Sequence, residues 1–176
     1  IVSWFSLPLK ERPRFCSLYF HEPDWTGHET GPRSQETEAV VSHLDSLFGD
    51  LISKLEQLPI SKYLNIIAVA DHGMAEISSE RTVDLSAYTD MSQIIQEGSG
   101  PYAFLYSKTK NIIEPAVDQL KKAEHISVYL KSDIPERFHF KNHHRIKDAL
   151  IIADEGWYIQ NQAISSSSTA GQYIPT

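Results

Sequence analysis

The sequence predicts an α/β fold, and three observations carry that reading. Residues 14–20 and 64–70 are short apolar runs, the second rich in β-branched residues, and both read as buried strands. The stretch between them repeats apolar residues at helical spacing. Strand, long helix, strand is a right-handed βαβ unit of an open, mostly parallel sheet.

The elements follow in order. Residues 1–5 read as the end of a helix, which Leu7-Pro8 and Arg12-Pro13 break before the first strand. Residues 22–33 contain Pro23, Gly27, Gly31 and Pro32 and read as loop. Ser34 is placed to N-cap the next helix, with Glu36 in its first turn. Val40, Val41, Leu44, Leu47, Phe48, Leu51, Ile52 and Leu55 form that helix's core stripe, with His43 on its flank. After the strand at 64–70 the chain is mixed and loop-rich over 75–98, with a short helix expected near 90–96. Gly98-Ser99-Gly100-Pro101 turns into a strand at 102–106. Pro115 opens an amphipathic helix ending near Glu124. Short strands are expected at 126–130 and 149–153. The Ser-rich tail 161–176 has no packing pattern and is expected to be disordered.

Composition narrows the function classes. A chain of 176 residues, 41% hydrophobic and 22% charged, suits one cored, globular domain. A net charge of −7 argues against binding a nucleic-acid duplex, which needs a basic face. It leaves a phosphate-bearing small molecule open as substrate, because bound cations invert the local field. Cys16 is the single cysteine, so no intramolecular disulfide forms, and it reads as a small buried hydrophobe. No apolar run approaches the ~18 residues of a membrane segment. No secretory signal opens the chain, and its first residue, Ile1, fits a mature form or a piece of a longer protein.

The chemistry concentrates at two places. Asp24 and His28 follow the first predicted strand, and Asp71 and His72 follow the second. In open α/β sheets ligands sit beyond the carboxyl ends of the strands, so both pairs are expected at one edge. Asp24 and His28 are four apart: a helical turn would align them, but Pro23 and Gly27 favour a tight loop. Asp71 and His72 are adjacent and share a site only if the chain turns, which Gly73 permits. Carboxylate oxygen with imidazole nitrogen is a donor set that zinc-like ions take. Two such pairs point to two ions, a device suited to in-line displacement at phosphorus. The alternative is that the carboxylates brace loops and the histidines are incidental.

The motifs Glu22-Pro23-Asp24-x-x-Gly27-His28-x-x-Gly31-Pro32 and Ala70-Asp71-His72-Gly73-Met74 resemble the nucleotide pyrophosphatase/phosphodiesterase family of the alkaline phosphatase superfamily. The likeness extends from Trp4-Phe5-x-Leu7-Pro8 and Glu11-Arg12-Pro13 to Ile134-Pro135-x-Arg137-x-His139, Arg145-Ile146 and Ala153-Asp154-Glu155-Gly156-Trp157. It implies an incomplete α/β/α sandwich of the alkaline phosphatase type with a mostly parallel central sheet. It also implies a partial catalytic domain over 1–160 and two zinc ions. Asp24 and His28 match two ligands of one ion, Asp71 and His72 two ligands of the other. Tyr19 matches a tyrosine lining the substrate pocket, and Glu22 a structural position beside the ligand loop. His139 matches a position that holds no zinc, and His143 and His144 read as surface or structural residues.

The resemblance places the nucleophile, a Thr or Ser, and a further Asp ligand upstream of Ile1. It places a third His ligand for the first zinc beyond the Gly-Trp strand. The implied activity is hydrolysis of phosphodiester or pyrophosphate bonds in small molecules, outside the cytoplasm, with this chain inactive alone. A truncated metal- or partner-binding domain, or a phosphomutase or sulfatase-like branch of the superfamily, are the rival readings.

Overall fold

The computed structural model describes residues 1–160 and the backbone of Ile174–Pro175. Apart from that pair, the tail expected to be disordered lies outside the described residues. The chain forms two compact units, residues 1–72 and 73–176.

The first unit holds α1 (Val2–Phe5), α2 (Asp24–Thr30) and α3 (Gln35–Glu56). The α3 helix starts where the sequence places it. Ser34 Oγ accepts the Thr37 N–H at 3.1 Å, and Glu36 and Glu38 sit in the first turn, at the positive end of the helix dipole. Its apolar stripe is only partly covered within this unit. Leu55 is buried, whereas Val41 and Leu47 are exposed.

Two expectations are corrected here. Residues 22–33 are not all loop, because Asp24–Thr30 form a helix. Glu22 explains this locally. Its carboxylate accepts the Thr26 N–H at 3.1 Å and the Thr26 hydroxyl at 3.1 Å, closing the first turn despite Pro23. Gly27, a poor helix former, is buried in this helix, and α2 packs on α3, so tertiary contact offsets its propensity.

The runs 14–20 and 64–70, in turn, form no strand among the described residues. Phe15, Tyr19, Ile67 and Val69 are each more than four-fifths exposed. Their apolar pattern specifies burial, but a ladder needs a neighbouring strand, and no described segment supplies one. The expected βαβ unit is therefore not assembled, and the mostly parallel sheet is incomplete.

The second unit contains β1 (Met74–Ala75), β2 (Thr82–Val83), β3 (Ile95–Glu97), β4 (Tyr102–Tyr106), α4 (Ile113–Leu120), β5 (Ile126–Leu130), β6 (Ala149–Ala153), β7 (Tyr158–Ile159) and β8 (Ile174–Pro175). Its main sheet is antiparallel, in the order β3-β4-β6-β5, with Leu105 opposite Ala149 and Val128 opposite Ile151. The strands expected at 102–106, 126–130 and 149–153 are all present. A parallel pair joins β2 to β7, and an antiparallel pair joins β1 to β8.

The helix expected near 90–96 is absent. Asp90 accepts the Ser92 N–H at 2.9 Å in a turn, and these hydrogen bonds hold its carboxyl below the ordinary carboxylate value. The chain then enters β3, where Ile95 pairs with Tyr106. Pro115 lies in the first turn of α4, as expected, and Ile113, Ala116, Val117 and Leu120 are buried at helical spacing. They share one core with Leu105, Val128 and Ile151.

Candidate functional site

The helix α2 sets the first half of the site. Its i,i+4 spacing puts Asp24 and His28 on one face, with Asp24 Oδ1 and His28 Nε2 3.5 Å apart. The end of the first unit supplies the second half. Asp71 Oδ1 accepts the His72 N–H at 3.1 Å, a local turn that brings these adjacent side chains to the same side. Asp71 Oδ2 then lies 3.6 Å from His72 Nε2, and His72 Nε2 lies 4.0 Å from Asp24 Oδ1. The four residues named by the sequence thus form a connected series, His28–Asp24–His72–Asp71. They converge, though not at the edge of a formed sheet.

Asp24 is the hub of this series. Its Oδ1 atom is buried and accepts no hydrogen bond, yet two imidazole Nε2 atoms stand beside it. The carboxylate as a whole is half exposed, but this oxygen is shielded from solvent, and a bound cation would satisfy it. Donors on a tetrahedral zinc with bonds of about 2.0–2.1 Å lie roughly 3.3 Å apart, close to the shorter of the observed separations. Donor type and spacing therefore fit a metal pair by pair. Among the described residues, no group of three or more His, Cys, Asp or Glu side chains is arranged to hold an ion.

Sequence reasoning missed how tightly α2 is held. At its start, both oxygens of Glu22 engage Thr26. The Thr26 hydroxyl is thereby committed to a structural bond. At its end, Thr30, Ser34 and Thr37 form a hydroxyl knot. The Thr30 and Ser34 hydroxyls are 2.7 Å apart, Ser34 donates to Thr37 Oγ1 at 3.0 Å, and Thr37 donates to Gly31 O at 2.8 Å. Gly31 has φ 103°, a value that favours glycine, and its N–H bonds back to Gly27 O. Thr37 is a buried polar residue, a signal that sequence alone does not give.

Tyr19 stands apart, 81% exposed on the unpaired run. His139, His143 and His144 belong to a loop of the second unit.

Residues 1–172 match the family model of type I phosphodiesterase / nucleotide pyrophosphatase. The chain belongs to this family. It is 37% identical over 147 residues to the human bis(5'-adenosyl)-triphosphatase ENPP4, a match covering 82% of this chain and 32% of that protein. It is 35% identical over 164 residues to human ectonucleotide pyrophosphatase/phosphodiesterase family member 5, covering 93% of this chain and 34% of that one. The chain thus spans about a third of the length of these curated relatives.

Among solved structures, an inactive variant of murine ENPP5 in complex with AMP superimposes with a TM-score of 0.73 at 33% identity. That match covers 99% of this chain and 46% of the other. The fold is accordingly the alkaline phosphatase-like α/β fold of this family, represented in part.

Proposed function

We propose that this chain supplies part of a metal-dependent phosphodiesterase or nucleotide pyrophosphatase centre, with Asp24 and His28 donating to one zinc ion and Asp71 and His72 to the other. The observation that carries the proposal is the buried Asp24 Oδ1 atom, without a hydrogen-bond donor, flanked by the Nε2 atoms of His28 and His72. Two ions so held would polarise the phosphoryl oxygens and lower the pKa of an attacking hydroxyl.

The chain's own residues set the geometry. Glu22 fixes the first turn of α2, so Asp24 and His28 present a fixed pair of donors. Both histidines present Nε2 toward carboxylate oxygens, the atom a neutral imidazole offers to a metal. Each ion receives two donors from these residues, where catalytic zinc takes three and keeps an open position. The Thr26 hydroxyl donates to Glu22 and is not free to attack phosphorus. Hydrolysis therefore needs a hydroxyl and further ligands outside these residues, which the family resemblance assigns to flanking sequence.

The substrate class is a small phosphodiester or pyrophosphate, with nucleotides favoured by the names of the relatives: a bis(5'-adenosyl)-triphosphatase and an ectonucleotide pyrophosphatase/phosphodiesterase. The second of these names, an ectonucleotide enzyme, supports an extracytoplasmic setting. Among the described residues no helix is long and apolar enough to cross a membrane.

The test is hydrolysis of bis(p-nitrophenyl) phosphate. The 176-residue chain is expected to do no better than free zinc. A longer protein, with family-like segments on both sides, is expected to show chelator-sensitive turnover that His28→Ala or Asp71→Asn lowers by several orders of magnitude. Robust turnover by the chain alone, abolished by Thr26→Ala, would overturn the assignment.

A further inference from the structure

The second unit holds a feature that neither the sheet nor the metal ligands explain. Residues 137–145 read Arg-Phe-His-Phe-Lys-Asn-His-His-Arg, with no acidic residue, in a chain of net charge −7. This segment walls a solvent-open cavity of about 440 Å³, lined by Phe104, His139, Phe140, His143 and Arg145 among others. Small-molecule sites are typically roughly 300–1,000 Å³, mostly apolar with a few directed polar groups.

The cavity is anchored rather than loose. Ile134 and Ile146, on either side of the loop, are buried with Leu150 of β6 in a small core. Lys131 Nζ donates to the His143 carbonyl at 2.8 Å. The Arg145 N–H donates to His143 Nδ1 at 3.2 Å, so Nδ1 is the acceptor and the ring's N–H donor is Nε2.

Charge and aromatic surface then divide cleanly. Lys141 is paired with Glu136, and its charge is answered within the protein. The Arg145 guanidinium has no carboxylate partner among the described residues, and its planar fork suits a phosphate or carboxylate. Phe140 is 42% exposed, and its ring stands 6.0 Å from that of Phe104, a residue fixed on β4. An aromatic face beside an unpaired guanidinium and an imidazole donor is complementary to a planar ring bearing an anion.

We propose that this cavity is a binding site for a small aromatic anion, with Arg145 and His143 taking the phosphate or carboxylate and Phe140 taking the ring. This site is independent of the metal-ligand assignment above. The probe is 5′-AMP, titrated by equilibrium dialysis into the full 176-residue chain in excess EDTA, so that no ion-dependent site contributes.

Saturable binding at one site is expected, with adenosine and inorganic phosphate each at least about tenfold weaker, since each engages half of the site. Arg145→Gln and Phe140→Ala are each expected to weaken AMP about tenfold or more, with circular dichroism and melting temperature unchanged because both residues are exposed. If Phe140→Ala lowers the melting temperature, Phe140→Leu keeps the apolar volume, removes the aromatic face and is expected to give the same loss. Absence of saturable AMP binding overturns the proposal. So does phosphate matching AMP, adenosine matching AMP, or undiminished binding by Arg145→Gln.

Discussion

At the scale of single residues, the arrangement around Asp24 depends on side chains that are not themselves proposed ligands. Glu22 accepts both the amide and the hydroxyl of Thr26, and its charge faces the positive end of α2. Removing it should fray the first turn. Glu22→Ala is expected to cost about 0.5–2 kcal/mol locally, read as faster hydrogen exchange at the Thr26 amide. Glu22→Gln should recover part of that protection, because it keeps an acceptor and loses the charge.

Thr37 is the counterpart at the other end. Its hydroxyl donates to Gly31 O from a buried position. Thr37→Val should remove one of two hydrogen bonds to that carbonyl, which still accepts the Ser34 N–H at 3.2 Å, and lower stability by about 0.5–1.5 kcal/mol in urea unfolding, with Thr37→Ser restoring most of it. The Ser34 cap was legible, since a hydroxyl three residues before a hydrogen-bonding amide is a local signal. The Thr37 bond was not, because its partner lies in another helix's terminus.

At the scale of elements, the buried face of α4 and the strands of its sheet follow their patterns, although the helix ends at Leu120 and not near Glu124. Pro115 fixed the start of the helix, and its apolar spacing matches the buried face. Leu105 and Leu120 are fully buried in that core, so either one changed to Ala should cost about 2–5 kcal/mol by chemical denaturation. Val41, exposed on α3, should tolerate Ser within about 0.5 kcal/mol.

In the first unit three segments were misread, for two physical reasons. Pro23 and Gly27 are turn signals, yet side-chain capping and packing on α3 made a helix there. The runs 14–20 and 64–70 carry strand patterns, but strand formation is a property of a pair and not of a run. Their apolar side chains are left exposed, including Ile67 and Val69. This surface should bind a hydrophobic dye such as ANS, and Ile67→Lys with Val69→Lys should reduce the signal without loss of helix content.

At the scale of the whole molecule, the legible part of the site was residue type and position along the chain. Both Asp-His pairs follow apolar runs, and the structure brings all four residues into one series. The geometry within the series was not legible, because it depends on α2, a helix that the local sequence disguises. The family's alkaline phosphatase-like fold was legible from paired motifs, whereas the division into two compact units was not, since both share one ordinary composition.

The central claim is that His28 and His72, with Asp24 and Asp71, are the metal donors of this chain. The direct measurement is a zinc titration of the 176-residue chain followed through the ring nitrogens of its histidines by NMR. Binding is expected to be weak, because each ion finds two protein donors, and the Nε2 resonances of His28 and His72 should shift together. Those of His125, His139, His143 and His144 should stay in place. Unmoved His28 and His72 resonances, with zinc-dependent shifts confined to the other histidines, would contradict the account.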